Sequence, residues 1–115
     1  MPVDRALREV KGKTKGMKIV ISPSGRADKK WKAKPEDGGP SVHFGQKDAT
    51  DYTRGATAAQ RENYIKRHGS RENWGPTGVL TPGWLSRHIL WEKKGMRAAV
   101  RAASNMYDNV KFKLA

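Results

Sequence analysis

The sequence predicts an α+β fold, in which a small antiparallel meander of two to three short strands is followed by three helices and preceded by a basic extended N-terminal arm. Three observations predict it. Residues 17–45 hold short β-branched or alternating runs separated by Gly and Pro turns. Residues 57–108 carry apolar spacing of helical period with recognisable caps. Between Tyr64 and Trp91, three of the four tryptophans fall within 28 residues, enough indole surface to organise a core in a chain poor in Phe. The expected organisation is an arm over residues 1–16 and one domain over 17–115, with strands in about 17–45 and helices in about 57–108.

In the arm, Lys11, Lys13, Lys15 and Lys18 alternate with Gly12, Thr14, Gly16 and Met17, a pattern that discourages helix. Lys18-Ile19-Val20-Ile21 then reads as a strand, stopped by the turn Ser22-Pro23-Ser24-Gly25. Lys30-Trp31-Lys32-Ala33-Lys34 alternates as a half-exposed strand, placing Trp31 and Ala33 on one face and three lysines on the other. A loop over Pro35 to Pro40 leads to Ser41-Val42-His43-Phe44-Gly45, a third short strand.

The helices follow. Thr57 is placed as an N-cap before AAQRENYIKRH, and Gly69 stands where a left-handed residue would close that helix. Thr81 as N-cap and Pro82 at the first position open a second helix through GWLSRHILW. There Trp84, His88 and Trp91 align at i, i+4 and i+7 beside a Leu85 and Ile89 stripe. After Gly95, the run MRAAVRAASNMY sets Met96, Ala99, Val100, Ala103 and Tyr107 on one face. The expected core is Phe44, Tyr64, Trp74, Trp84, Leu85, Ile89, Trp91 and Val100.

Composition bounds what the chain does. At 115 residues there is room for one modest core and little for a deep substrate cavity as well. Without cysteine, disulfides, thiolate metal sites and cysteine nucleophiles are excluded. No apolar run approaches the roughly 20 residues of a membrane span, and the start MPVDRALREVKGK lacks a signal-peptide centre. The formal charge is +13, from 24 Lys and Arg against 11 Asp and Glu. Such a surface attracts polyanions. The first 35 residues hold 11 basic and 3 acidic side chains, net +8, so the excess concentrates there. The candidate nucleic-acid contacts are therefore Lys11, Lys13, Lys15, Lys18, Arg26, Lys29, Lys30, Trp31, Lys32 and Lys34. Trp31, between two lysines, suits stacking or an interface role nearly as well as burial.

Catalytic chemistry finds no constellation. His43, His68 and His88 are dispersed and lack metal-ligand spacing. Asp48, Asp51, Glu62 and Glu72 match no nuclease signature, and Asp51 reads as a cap or a partner of Arg67. Ser86 and His88 are two apart on a helix and point to different faces. No metal, cofactor, membrane or small-molecule substrate is expected.

The ordered words HFGQKDATDYT, YIKRHG, ENW and GWLSRHILW, followed by an alanine-rich helix, resemble an uncharacterised family of small basic proteins from large double-stranded DNA viruses and phages. The matching positions are Phe44, Gly45, Asp51, Tyr52, Thr53, Tyr64, Arg67, His68, Glu72, Asn73, Trp74, Gly83, Trp84, Ser86, Arg87, Leu90 and Trp91, within residues 41–103. The Pro35 to Pro40 loop and VLTPGW depart from that pattern, and the first departure bears on strand pairing. The resemblance implies a viral setting, in the virion and in the host cell interior during assembly. The expected function is a non-enzymatic minor capsid or head-associated protein that docks on other virion proteins and contacts polyanion, foremost packaged DNA, without sequence specificity. The alternative is a free nucleic-acid-binding accessory protein of viral replication or transcription.

Overall fold

The computed structural model describes residues 16–75 and 78–115. Four strands and three helices are described: β1 Met17–Pro23, β2 Lys29–Pro35, β3 Val42–Gln46, α1 Ala58–His68, α2 Pro82–Leu85, α3 Met96–Ser104 and β4 Val110–Leu114. The fold is α+β, but the sheet is mixed and not the expected antiparallel meander of two to three strands. Its order is β3-β2-β1-β4, with β1 and β4 parallel and the other pairs antiparallel. Of the expected arm, residues 1–15, with Lys11, Lys13 and Lys15, lie outside the described residues.

The fourth strand is written by Val110-Lys111-Phe112-Lys113-Leu114, an alternation that buries Val110 and Phe112 and exposes both lysines. Helix α3 leads into it through a turn. Small residues make the approach possible: Ala99, Val100 and Ala103 are buried against the sheet, where larger side chains would hold helix and strand apart. The strand docks at both ends of β1, through the Met17 N–H donating to the Asn109 carbonyl at 2.8 Å and the Ala115 N–H to the Ile21 carbonyl at 2.8 Å.

Pairing register sorts the sheet into two faces. Ile19 lies opposite Pro35 and Phe112, Ile21 opposite Ala33 and Leu114, and Trp31 opposite Phe44. These residues form the floor of one core, roofed by Trp84, Leu85, Ile89 and Leu90 and by α3. Trp84 is fully buried and stacks on Phe112 at 5.5 Å between ring centroids.

Helix ends follow the expected chemistry in two cases. Thr57 caps α1 through the Gln60 N–H while the Gln60 side chain accepts from the Thr57 N–H, a complete capping box. Thr81 accepts from the Trp84 N–H, with Pro82 at the first position of α2. Gly69 differs from expectation: its φ of −59° is right-handed. A side chain there would meet the Ile65 carbonyl at 2.8 Å, so lack of space is what favours glycine.

The second helix is not one uniform stretch. After Leu85 it widens into a π turn, Ser86–Leu90, closed by the Trp91 N–H donating to the Ser86 carbonyl at 3.0 Å. The wider turn carries Trp91 off the stripe predicted for Trp84, His88 and Trp91. Trp91 is half-buried and stacks instead on Tyr64, at 4.5 Å and 7° between planes.

Candidate nucleic-acid interface

The strand period that buries Ile19, Ile21, Ala33, Val110 and Phe112 turns Lys18, Val20, Ser22, Lys32, Lys34, Lys111 and Lys113 to the opposite face. On that face Lys18, Lys34, Lys111 and Lys113 are exposed and Val20, Ser22 and Lys32 are partly so, while α2 and α3 meet the sheet on its apolar side. In register, Lys18 lies opposite Lys111, while Val20 is flanked by Lys34 on one side and Lys113 on the other. Lys34 and Lys113 therefore stand two strand spacings apart, about 9–10 Å. Beyond Ser22, Lys32 lies opposite His43, whose Nδ1 is 2.7 Å from the Ser24 hydroxyl.

Like charges facing each other across a ladder destabilise a sheet. Lys111 relieves its own repulsion: its ammonium donates to the Ser104 and Tyr107 carbonyls at 3.1 and 3.4 Å, beside the carbonyl end of α3. Lys18, Lys32, Lys34 and Lys113 form no ion pair with any carboxylate among the described residues. Glu36 and Asp37 follow β2 and are exposed, yet neither reaches these lysines.

Lys30 breaks the pattern of its strand. Expected among the solvent-facing lysines, it is instead buried, with its ammonium 2.7 Å from Asp51 and also donating to the Ala49 carbonyl. The side chains of the pair are 5% and 2% exposed, so neither charge is available to a partner. Asp51 also caps the turn Tyr52–Arg54, accepting from the Thr53 N–H at 3.0 Å and from the Thr53 hydroxyl. The Asp51 partner is thus Lys30, in place of the expected Arg67. This pair fixes the loop after β3 to β2, two segments that no local pattern connects.

The remaining expected contacts disperse. Arg26 is exposed and paired with Asp28 at 3.4 Å. Lys29 lines a polar cleft of about 570 Å³ between the end of β3, α1 and α2. Trp31 is half-buried, resting on the core with part of its surface in a separate groove. Lysines of β4 escaped the sequence reading, although the alternation VKFKL carries the same signal as KKWKAK.

Many residues of the ordered words running from HFGQKDATDYT to GWLSRHILW, among them Gly45, Asp51, Tyr64, Arg67, Glu72, Gly83 and Ser86, line that polar cleft. Gly45 is required there: its φ is +79°, and a Cβ would come within 2.8 Å of Leu90. Tyr64 stacks between its neighbours, with His68 at 4.4 Å, Trp91 at 4.5 Å and Trp74 at 6.4 Å. Trp74 is half-buried and is not part of the main core. Burial, and then Glu72, push the Tyr64 phenol up to about 12 against Arg87, Ser86 and Arg67, so it stays protonated. Burial also lowers His88, partly offset by its contact with the Trp74 carbonyl at 3.0 Å.

Glu92 receives Arg87 at 2.7 Å and Arg61 at 3.2 Å, tying α1 to the segment after the π turn. Arg61 additionally donates to the Trp91 carbonyl at 2.7 Å. Among the described residues, no group of three or more His, Asp or Glu is placed to hold a metal ion, and no helix is long and apolar enough to cross a membrane.

Residues 19–68 match a family of unknown function, DUF5754. That stretch runs from β1 through α1 and includes the Lys30–Asp51 pair, Trp31 and the β2 lysines. No curated protein matches the chain, and no solved structure does.

Proposed function

We propose that this chain is a non-enzymatic nucleic-acid-binding protein that holds phosphates on the uncovered face of its sheet, without reading sequence. The observation carrying this is the set Lys18, Lys32, Lys34 and Lys113, raised by three adjacent strands on one face with no described carboxylate to neutralise them. Their mutual repulsion is a cost that bound phosphates would relieve. The sheet fixes the backbone positions from which these lysines rise, so no backbone order is lost when a polyanion docks. The polar cleft supports the same reading, because Lys30 and Asp51 satisfy each other and Tyr64 keeps its proton.

The setting follows the viral resemblance: a minor capsid or head-associated component, with its helical side against other virion proteins and its lysine face towards packaged DNA. The full +13 charge favours such a location over an acidic partner surface of mixed sign.

Anisotropy of a labelled 30-base-pair duplex, titrated with the full chain across a salt series, tests the binding. The expected result is a steep fall of affinity with salt. Replacing Lys18, Lys32, Lys34 and Lys113 together by Thr should make the slope shallower by about 3.6 log units per log unit of salt, at roughly 0.9 per phosphate. Unchanged affinity and slope in a folded variant would overturn the assignment of this face. Mass spectrometry of purified particles tests the setting: stoichiometric presence supports it, and absence would move the protein to the accessory role in replication or transcription.

A further inference from the structure

Trp31 lies where β2 passes both Pro23 of β1 and Phe44 of β3. Part of the indole rests on the core. The remainder lines an open groove of about 350 Å³ whose other walls are Pro23, Lys30, Lys47, Thr53 and Arg54. No carboxylate lines it. Lys47 and Arg54 are exposed and unpaired with any carboxylate among the described residues, whereas the Lys30 ammonium is turned to Asp51. Next to Thr53 in sequence, the Tyr52 ring carries the exposed Lys94 at 5.7 Å.

An aromatic face in an apolar slot, edged by two unneutralised cations, matches what an unpaired nucleotide presents: a flat base and a flanking phosphate on either side. A base within a duplex is stacked and paired on all its faces and cannot enter such a slot without being extruded. Resting on the nucleic-acid reading above, we propose that this groove holds one unpaired base of a single-stranded nucleic acid against Trp31, with the neighbouring phosphates on Lys47 and Arg54. The chain then binds single strands more tightly than duplex, even though its sheet face holds both.

The test compares a labelled 20-nucleotide oligo-dT with a 20-base-pair duplex at one salt concentration, using the full chain, Trp31→Leu, Trp31→Tyr and the double variant Lys47→Thr/Arg54→Thr. Trp31→Leu keeps apolar bulk but removes the π face. It should weaken single-strand binding about tenfold or more and leave duplex binding within about twofold, while Trp31→Tyr restores most of the loss. The double variant should make the single-strand salt slope shallower by about 1.4. Tryptophan emission should be quenched by oligo-dT in the full chain and less so in Trp31→Tyr. Should Trp31→Leu fail to fold, the double variant and the quenching decide, since Lys47 and Arg54 are exposed. A folded Trp31→Leu that binds oligo-dT like the full chain, equal single-strand and duplex affinities, or quenching unaltered in Trp31→Tyr would each overturn the proposal. Loss of binding to both nucleic acids in the unsubstituted chain would instead defeat the nucleic-acid reading itself.

Discussion

The two faces of the sheet are made from the same strands, residue by residue in alternation, yet they do opposite things. On one, Ile19, Ile21, Ala33, Phe44 and Val110 are fully buried beneath Trp84 and its neighbours. On the other, Lys18, Lys34 and Lys113 stand in solvent with no described counter-charge. The contrast puts the groups that stabilise the fold and the lysines proposed to hold phosphate on separate sides of one element, so each set can be altered with little effect on the other. Lys30 is the exception that measures the rule: next to lysines that reach solvent, it serves the interior because Asp51 is there to receive it.

The largest effect should come from the buried side. Trp84→Ala should cost ~3–5 kcal/mol and leave the chain largely unfolded in a denaturant melt, because the indole fills the space between Phe112 and the helical roof. A loss under about 1 kcal/mol would mean that the two sides are less distinct than their burial indicates.

Asp51→Ala should follow, at about 3–5 kcal/mol, since it strands the Lys30 ammonium away from water. The companion Lys30→Met/Asp51→Ala removes both charges and should recover much of that loss, which thermal melts of the two variants would show. If the double variant is as unstable as the single, the pair contributes packing and capping instead of charge compensation.

Much smaller is the expected effect on stability of Lys18, Lys32, Lys34 and Lys113 replaced together by Thr: within about 0.5 kcal/mol, or slightly stabilising in low salt as repulsion is removed. The same variant is the one expected to bind DNA with the shallower salt dependence. A large destabilisation would tie the outer face to the fold and weaken the division.

The smallest effect is with pH. Burial lowers His88 below 6.5, so the unfolded chain takes up its proton first, and stability present above 6.5 is lost as pH falls through that value towards the lower folded one. Burial pushes Glu92 up, but the hydrogen bond and charge of Arg87, joined by Arg61, outweigh it and hold the carboxyl below 4.5. Its contribution is present above 4.5 and declines as pH falls further. Melting temperature should thus decrease in two stages on acidification. His88→Gln should flatten the first stage alone.

Much of this division was legible in the chain. The alternation in KKWKAK and the β-branched KIVI marked two strands, while Thr57, Thr81 and Pro82 marked helix starts, because these signals act over a few residues. The VKFKL alternation is equally local, yet it lies beyond the expected strands of about 17–45 and was given no element. Trp91 was misplaced because a π turn changes the helical period without leaving a composition signal. Lys30 could not be told from Lys32 and Lys34, since its environment is set by Asp51, 21 residues away.

By itself, then, the sequence determined the excess of positive charge, the strand period that sends apolar and basic side chains to opposite sides, and the capped helices, all of them consequences of short-range chemistry. Only the tertiary structure decided that β4 returns parallel to β1, so that lysines from both ends of the chain share a face, and that Lys30 is withdrawn from it. Both depend on contacts between distant segments, where packing space and charge compensation choose among arrangements that local pattern allows equally.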